Sequence, residues 1–356
     1  MAAMQGAPGV PRVDDDFAAA LRAFQATARA IVAEAPALRA AKPPSPGLRR
    51  AAQASLALDP NDSGVARMFF AAQFEPRLVD APGFLTGYYE PVVAGASAEG
   101  PGFREPILAR PKDLVSFAPG EGPPGLDPAL AGARRRADGG LEPYPDRAEI
   151  ESVRRDPIVW LEDCVEAFLI HVQGSARVKR TDGRELRLVY DGRNGQPYTS
   201  IGRQIIESGE IAAGDMSLPR LKSWLRANGL APGERGRELM RRNRSYIFFR
   251  LATVGDPEQG PIGGAGIALT TLRSIAVDRQ LWSYGLPFWL EADLPWREDR
   301  LEPFHRLMIA QDTGTAIVGP ARFDLFFGSG DAAGVRAGAI RHACRAWALE
   351  PREPQK

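Results

Sequence analysis

The sequence predicts a mainly β protein with accessory helices, its last third a β-barrel and its length sufficient for two domains. Three observations carry this. The 356 residues are long for one compact domain and comfortable for two. From Tyr246 onward the apolar residues fall into short segments divided by turns, at Ile275, Val277, Leu286, Phe288, Leu290, Leu307, Ile309, Ile317, Phe323, Leu325 and Phe327. That close spacing suits a barrel better than a sandwich of long strands. Ahead of residue 83, by contrast, apolar residues recur at helical spacing behind carboxylates, and no repeat of fixed period runs through the chain.

Each element follows from local chemistry. Asp14, Asp15 and Asp16 precede Phe17, Leu21, Phe24, Ile31 and Val32, and carboxylates ahead of an amphipathic stretch mark a helix start. Asn61, Asp62 and Ser63 stand the same way before Val65, Met68, Phe69 and Phe70. Residues 83–91 are short, aromatic and β-prone, and a proline ends them. Residues 93–145, rich in Gly, Pro and Ala, predict loops and short strands, with Arg134, Arg135 and Arg136 in a solvated loop. Residues 146–151 predict a short helix. Residues 160–172 predict a buried one, on Leu161, Val165, Phe168, Leu169 and Val172. Residues 184–190 alternate as a strand before a turn at Asp191-Gly192. Two more helices are expected at 200–209 and 218–228, the second stopped by Gly229. Gly263, Gly264 and Gly266 mark a loop.

Composition narrows the function classes. A formal net charge of +1 creates no global field for nucleic acid or an anionic membrane. No apolar run reaches the length of a membrane span. The opening residues lack a basic region followed by an apolar stretch, and no lipid-attachment cysteine follows them. Either the protein is cytoplasmic or its export signal lies outside these residues. The two cysteines, Cys164 and Cys344, form no C-x-x-C; they are buried thiols or, in an oxidising compartment, one disulfide. The three histidines, His171, His305 and His342, make no H-x-x-x-H or H-E-x-x-H pattern, so no metal site and no cofactor are expected.

The densest polar stretch with chemical potential is 311–330. It sets two carboxylates, Asp312 and Asp324, in apolar, strand-like surroundings, Asp324 between Phe323 and Leu325. Burial raises a carboxyl pKa, and a carboxyl still protonated near neutral pH can act as a general acid. The competing reading is that such aspartates cap turns beside the glycines. Asp312-Thr313-Gly314 spells the aspartic-protease triplet, but that chemistry needs a second triplet to share the proton and the chain has none. Gly263-Gly264-Ala265-Gly266 lacks the strand–helix context of a phosphate loop.

Several ordered segments resemble the membrane-bound lytic murein transglycosylase A family. Gly87-Tyr88-Tyr89-Glu90-Pro91 is similar to its G-Y-Y-x-P stretch, and Arg147-Ala148-Glu149-Ile150 to its R-x-E-I segment. Val172-Gln173-Gly174-Ser175 resembles its V-Q-G-S, and residues 194–202 its N-G-x-x-Y-x-S-I-G. Asp215-Met216-Ser217, residues 243–249 and the closing Ala333-Gly334-Val335-Arg336-Ala337-Gly338 match in order. The C-terminal part resembles the 3D module, whose three aspartates fall on Asp278, Asp312 and Asp324. The resemblance runs from about residue 64 to about residue 350, with Thr315 standing where the family more often has glycine.

The resemblance implies a double-psi β-barrel from residues 1–100 and 244–356, with a smaller β-domain of residues 101–243 inserted and a groove between them. It implies an enzyme that cleaves the bond between N-acetylmuramic acid and N-acetylglucosamine and leaves 1,6-anhydro ends. Asp324 would be the single catalytic acid and then base, Asp312 and Asp278 its supporting carboxylates, and Tyr88, Tyr89, Gln173 and Ser200 the substrate contacts. Peptidoglycan strands are the implied partner, alongside other cell-wall enzymes, at a periplasmic or outer-membrane-associated location. The alternative from another class is a non-catalytic wall-polysaccharide-binding protein with the same barrel.

Overall fold

The computed structural model describes residues 15–117, 121–256 and 259–353. The expectations for Asp14 and for the first eight residues lie outside these. The chain forms two compact units, one running up to Tyr89 and resuming after Asp256, the other spanning Glu90–Asp256. Among the described residues no helix is long and apolar enough to cross a membrane.

The first segment opens with helix α1 (Phe17–Val32). Asp16 is its cap, accepting from the Ala19 N–H at 2.9 Å, and Phe17, Leu21, Phe24 and Ile31 form the buried face. Asp15, expected beside it as part of the same start signal, does something else. Its fully buried carboxylate pairs with Arg273 at 2.6 Å and Arg306 at 3.1 Å, tying the chain's start to its last third. Helix α2 (Pro46–Ser55) was not anticipated, although Ser45 at the cap and proline in the first turn are its signal. Asp62 caps α3 (Ser63–Gln73), which delivers Phe69 and Phe70 to a cluster with Phe24 and Phe74, ring centroids 5.2 to 6.0 Å apart. Strands β1 (Phe74–Leu78) and β2 (Gly83–Glu90) follow.

The second unit begins with short strands β3 (Val92–Ala96), β4 (Glu105–Leu108), β5 (Leu114–Ser116), β6 (Gly132–Arg135) and β7 (Leu141–Pro143). Helix α4 (Arg147–Val153) has a full capping box from Asp146 and Glu149. Then come β8 (Pro157–Leu161), α5 (Cys164–Gln173), β9 (Ser175–Arg180), β10 (Glu185–Arg193), α6 (Ile201–Glu207), α7 (Leu218–Ala227), α8 (Arg235–Arg241) and β11 (Ile247–Thr253). One sheet has the order β11-β10-β9-β3-β8-β4, with β3 and β9 parallel, and a smaller one the order β5-β6-β7. Helix α5 buries one side on the sheet through Ile170, beside Val159, Val178 and Leu188, and packs Val165, Phe168 and Leu169 against α6, α7 and α8.

Three expectations need correction here. Residues 160–172 are not one helix: Trp160 and Leu161 end β8, Asp163 caps α5, and Val172 is exposed. An apolar run cannot itself distinguish strand from helix, and the capping aspartate is what divides this one. Arg134 and Arg135 lie in strand β6, not a loop, with Arg134 paired to Glu142 on β7. Asp191-Gly192 is no turn; β10 runs through it with a bulge, at which Gly192 takes φ 141°. Both cysteines are free thiols, and burial pushes them up to about 11 for Cys164 and about 12 for Cys344.

The chain then completes the first unit with β12 (Ser274–Ala276), β13 (Pro287–Leu294), β14 (Glu302–Asp312), β15 (Arg322–Ser329), α9 (Asp331–Gly338) and β16 (Arg341–Pro351). The strands run β16-β13-β14-β12-β15-β2, and β2 pairs back onto β16, closing a six-stranded barrel of the double-psi type with β1 added outside β16. Every apolar position that announced the barrel is buried, Phe288, Leu290, Leu307, Ile309, Phe323 and Leu325 completely. Gln311 locks α1 onto the barrel, its amide donating to the Ala23 carbonyl and the Thr27 hydroxyl at 2.7 Å each.

Candidate active site

Strand pairing sets two aspartates level. Ala276 in β12 is the Cα partner of Asp312 in β14 on one side and of Asp324 in β15 on the other. The carboxylates therefore stand at one height of the sheet with a single strand between them. Alternation along β15 sends Phe323 and Leu325 into the core and leaves Asp324 partly exposed.

Strand β2 supplies a partner to each. Thr86 and Tyr88, two residues apart, share a face. The Thr86 hydroxyl lies 2.5 Å from Asp324 Oδ1, and the Tyr88 hydroxyl donates to Asp312 Oδ2 at 2.9 Å. Gly87 between them permits this, because a Cβ there would come within 2.8 Å of the Ala337 backbone on α9.

The two carboxylates differ in occupation. Asp312 Oδ1 accepts from the backbone N–H groups of Gly264 at 2.7 Å and Thr313 at 2.8 Å, so with Tyr88 both of its oxygens are engaged. The glycine loop of residues 263–266 thus serves this aspartate, and a Cβ at 264 would sit 2.4 Å from the Tyr284 hydroxyl, so a larger residue there would displace that tyrosine. Among the described residues Asp324 has one hydrogen bond, at Oδ1, and none at Oδ2. Enough protein surrounds its carboxyl that burial raises it to about 6, against the opposing pull of the Thr86 hydrogen bond and the Arg322 guanidinium, with Asp312 adding a smaller push upward. Burial rather than the neighbouring carboxylate is the main cause. Tyr88 is raised well above its ordinary value, first by burial and then by Asp312 and Asp324, so it stays a protonated donor.

The structure places the remaining expected site residues as follows. Asp278 holds a turn, accepting from Gly319 N–H at 2.8 Å and Gln280 N–H at 3.0 Å, and so shapes the loop between Asp312 and Asp324. Tyr89 points away from Tyr88 and is buried against Gly334 of α9. Gln173 ends α5 in the second unit, where Ser200 caps α6 through the Arg203 N–H. Arg147 of the R-x-E-I segment is buried, donating to the carbonyls of Asn243 and Ser245 and to His171 Nδ1, which makes that segment a packing device. Thr86 and Arg322 have no role assigned from the sequence, and Gly264 is read there only as part of a loop. The signal for the first two was present, since each stands two residues from a residue already singled out in a strand.

A model described as the MltA specific insert domain matches residues 84–250, and one described as the 3D domain matches residues 273–350. The chain is similar to the solved membrane-bound lytic murein transglycosylase from Agrobacterium tumefaciens, with 33% identity, TM-score 0.84, and coverage of 95% of this chain and 94% of that one. It is 35% identical over 212 residues to membrane-bound lytic murein transglycosylase A of Vibrio cholerae, covering 58% of this chain and 55% of the relative. With the Escherichia coli K12 protein of that name it shares 30% over 272 residues, 74% of this chain and 65% of the relative. The matched region thus spans between somewhat over half and just under two thirds of those two relatives.

Proposed function

The chain belongs to the membrane-bound lytic murein transglycosylase A family, and on that premise we propose that it cleaves the glycan strands of peptidoglycan, with Asp324 as the single acid and base. The observation that carries this is the unequal state of the two level carboxyls. Asp324 is raised to about 6 and, among the described residues, has one oxygen without a hydrogen bond, whereas both oxygens of Asp312 are already accepting hydrogen bonds.

Protonated Asp324 donates to the oxygen linking N-acetylmuramic acid to N-acetylglucosamine, and the bond from C1 to that oxygen breaks. The muramic C6 hydroxyl attacks C1 and closes a 1,6-anhydro ring. Its proton passes to Asp324, which returns to its starting state. Holding the nucleophile within the substrate supplies the advantage of proximity. A hydrolytic route would need a second carboxylate free to activate water, and the engagement of Asp312 favours the route without one. The relatives are named membrane-bound; a peptidoglycan substrate fits an enzyme acting on the periplasmic side of such a membrane.

The product decides between the routes. Digestion of purified sacculi is expected to give muramic ends that are lighter by one water and resist borohydride, read by mass spectrometry. Predominantly reducible ends would overturn the intramolecular mechanism. The rate should be high below pH about 6 and fall as pH rises through that value, because the acid form of Asp324 is lost there.

A further inference from the structure

The proposed mechanism uses one oxygen of Asp324, and its surroundings decide which. Arg322 precedes Asp324 by two residues on β15, so both side chains leave the same face. Its Nη2 donates to Thr86 Oγ1 at 2.8 Å, and Thr86 Oγ1 lies 2.5 Å from Asp324 Oδ1. Its Nη1 donates to the Phe323 carbonyl, and the guanidinium lies over the Phe84 ring, 5.4 Å from the centroid. The cation is thus held on three sides. A guanidinium has donors only, whereas a hydroxyl has one hydrogen and two acceptor sites. A Thr86 hydroxyl accepting from Arg322 keeps its own hydrogen for Asp324 Oδ1.

We infer that Arg322 is a positioning residue which, through Thr86, reserves Oδ1 of Asp324 as an acceptor and keeps the transferable proton on Oδ2. Moving the proton to Oδ1 would require Thr86 to turn its hydrogen away from Asp324. Protonation at Oδ2 leaves the whole chain of bonds in place, both before the proton is given and after it is recovered. The inference rests on the reading of Asp324 as the acid.

The arrangement has a pH signature. Thr86 and Arg322 both hold Asp324 below where burial alone would put it. The other charged or titratable groups here are Asp312 on β14, Tyr88 on β2, and Cys344, Arg341 and His342 on β16. Cys344 faces Arg322, Arg341 is the exposed Cα partner of Thr86, and His342 is the partner of Leu85. Loss of the Arg322 charge or the Thr86 hydroxyl leaves burial less opposed, so the pH at which activity falls must rise.

The test is a set of pH–rate profiles on purified sacculi for Arg322→Gln, Arg322→Lys, Thr86→Val, Thr86→Ser and the double variant R322Q/T86V, each checked for native circular dichroism. Arg322→Gln and Thr86→Val are expected to move the alkaline limb up by about one pH unit, with Thr86→Ser close to wild type. Well below the limb, where Asp324 is protonated in every variant, each of these two should lose about ten-fold in rate, the worth of one charge-assisted hydrogen bond. There the double variant should lose no more than Thr86→Val alone, since Arg322 acts through Thr86. An unmoved limb in both single variants, or additive losses in the double, overturns the inference. Should Thr86→Val fail to fold, the arginine pair decides. Arg322→Lys keeps the charge and should hold the limb while losing rate below it, and a Lys profile identical to wild type throughout overturns the relay. An active Asp324→Asn would instead defeat the reading of the site. An inactive one beside a wild-type Arg322→Gln profile removes the relay alone.

Discussion

Asp324→Asn is expected to lose lytic activity on purified sacculi by about 10²–10⁴-fold, the usual cost of removing a positioned acid and base. The amide nearly matches the carboxyl in shape and can still accept from Thr86 at the Oδ1 position. It cannot give a proton to the leaving oxygen or take one from the attacking hydroxyl. Because Asp324 is partly exposed at the barrel surface, with Phe323 and Leu325 carrying the core contacts on either side, the barrel should remain folded. The measurement is sacculus turbidity against time, with circular dichroism and binding to sacculi as controls. Clearing at the wild-type rate would remove Asp324 from the mechanism. Retained binding without clearing would separate an enzyme from a wall-binding protein, since only the former has lytic activity to lose.

The second large effect is on stability. Glu90 is fully buried in the second unit, with Arg177 at 2.8 Å and Arg187 at 2.6 Å on its two oxygens. Replacing it with alanine removes the Glu90 carboxylate that joins two nearly buried guanidinium groups. A buried charge deprived of its partner costs about 3–5 kcal/mol, whereas replacing all three charges with apolar groups of similar volume is often neutral. Urea unfolding of Glu90→Ala should therefore show a midpoint far below wild type, and a matched apolar triple variant should recover most of the difference. A loss under about 1 kcal/mol in the single variant would mean that water reaches these arginines.

What could be read without the structure was local. Helix starts at Asp16, Asp62 and Asp146 were legible because a capping carboxylate acts on N–H groups within three residues. The barrel strands were legible because alternation needs only the strand itself. Errors came where a local signal has two meanings. The apolar run at 160–172 fits strand or helix until Asp163 divides it, and Asp191-Gly192 fits a turn or a bulge until β11 pairs alongside.

The sequence by itself determined the mainly β class and the family, and it drew attention to Asp324, Asp312 and Tyr88. The tertiary structure alone decided how these meet and where the other expected residues lie. Asp312 and Asp324 stand level only because Ala276 pairs with both, and Thr86 reaches Asp324 across 238 positions of sequence. Such contacts depend on barrel closure, which joins β2 to β15 and β16, and no periodicity within a single strand encodes which strand will lie beside it. The state of Asp324 is decided at the same level, because burial and the opposing Thr86 and Arg322 contacts exist only once those distant segments have packed together.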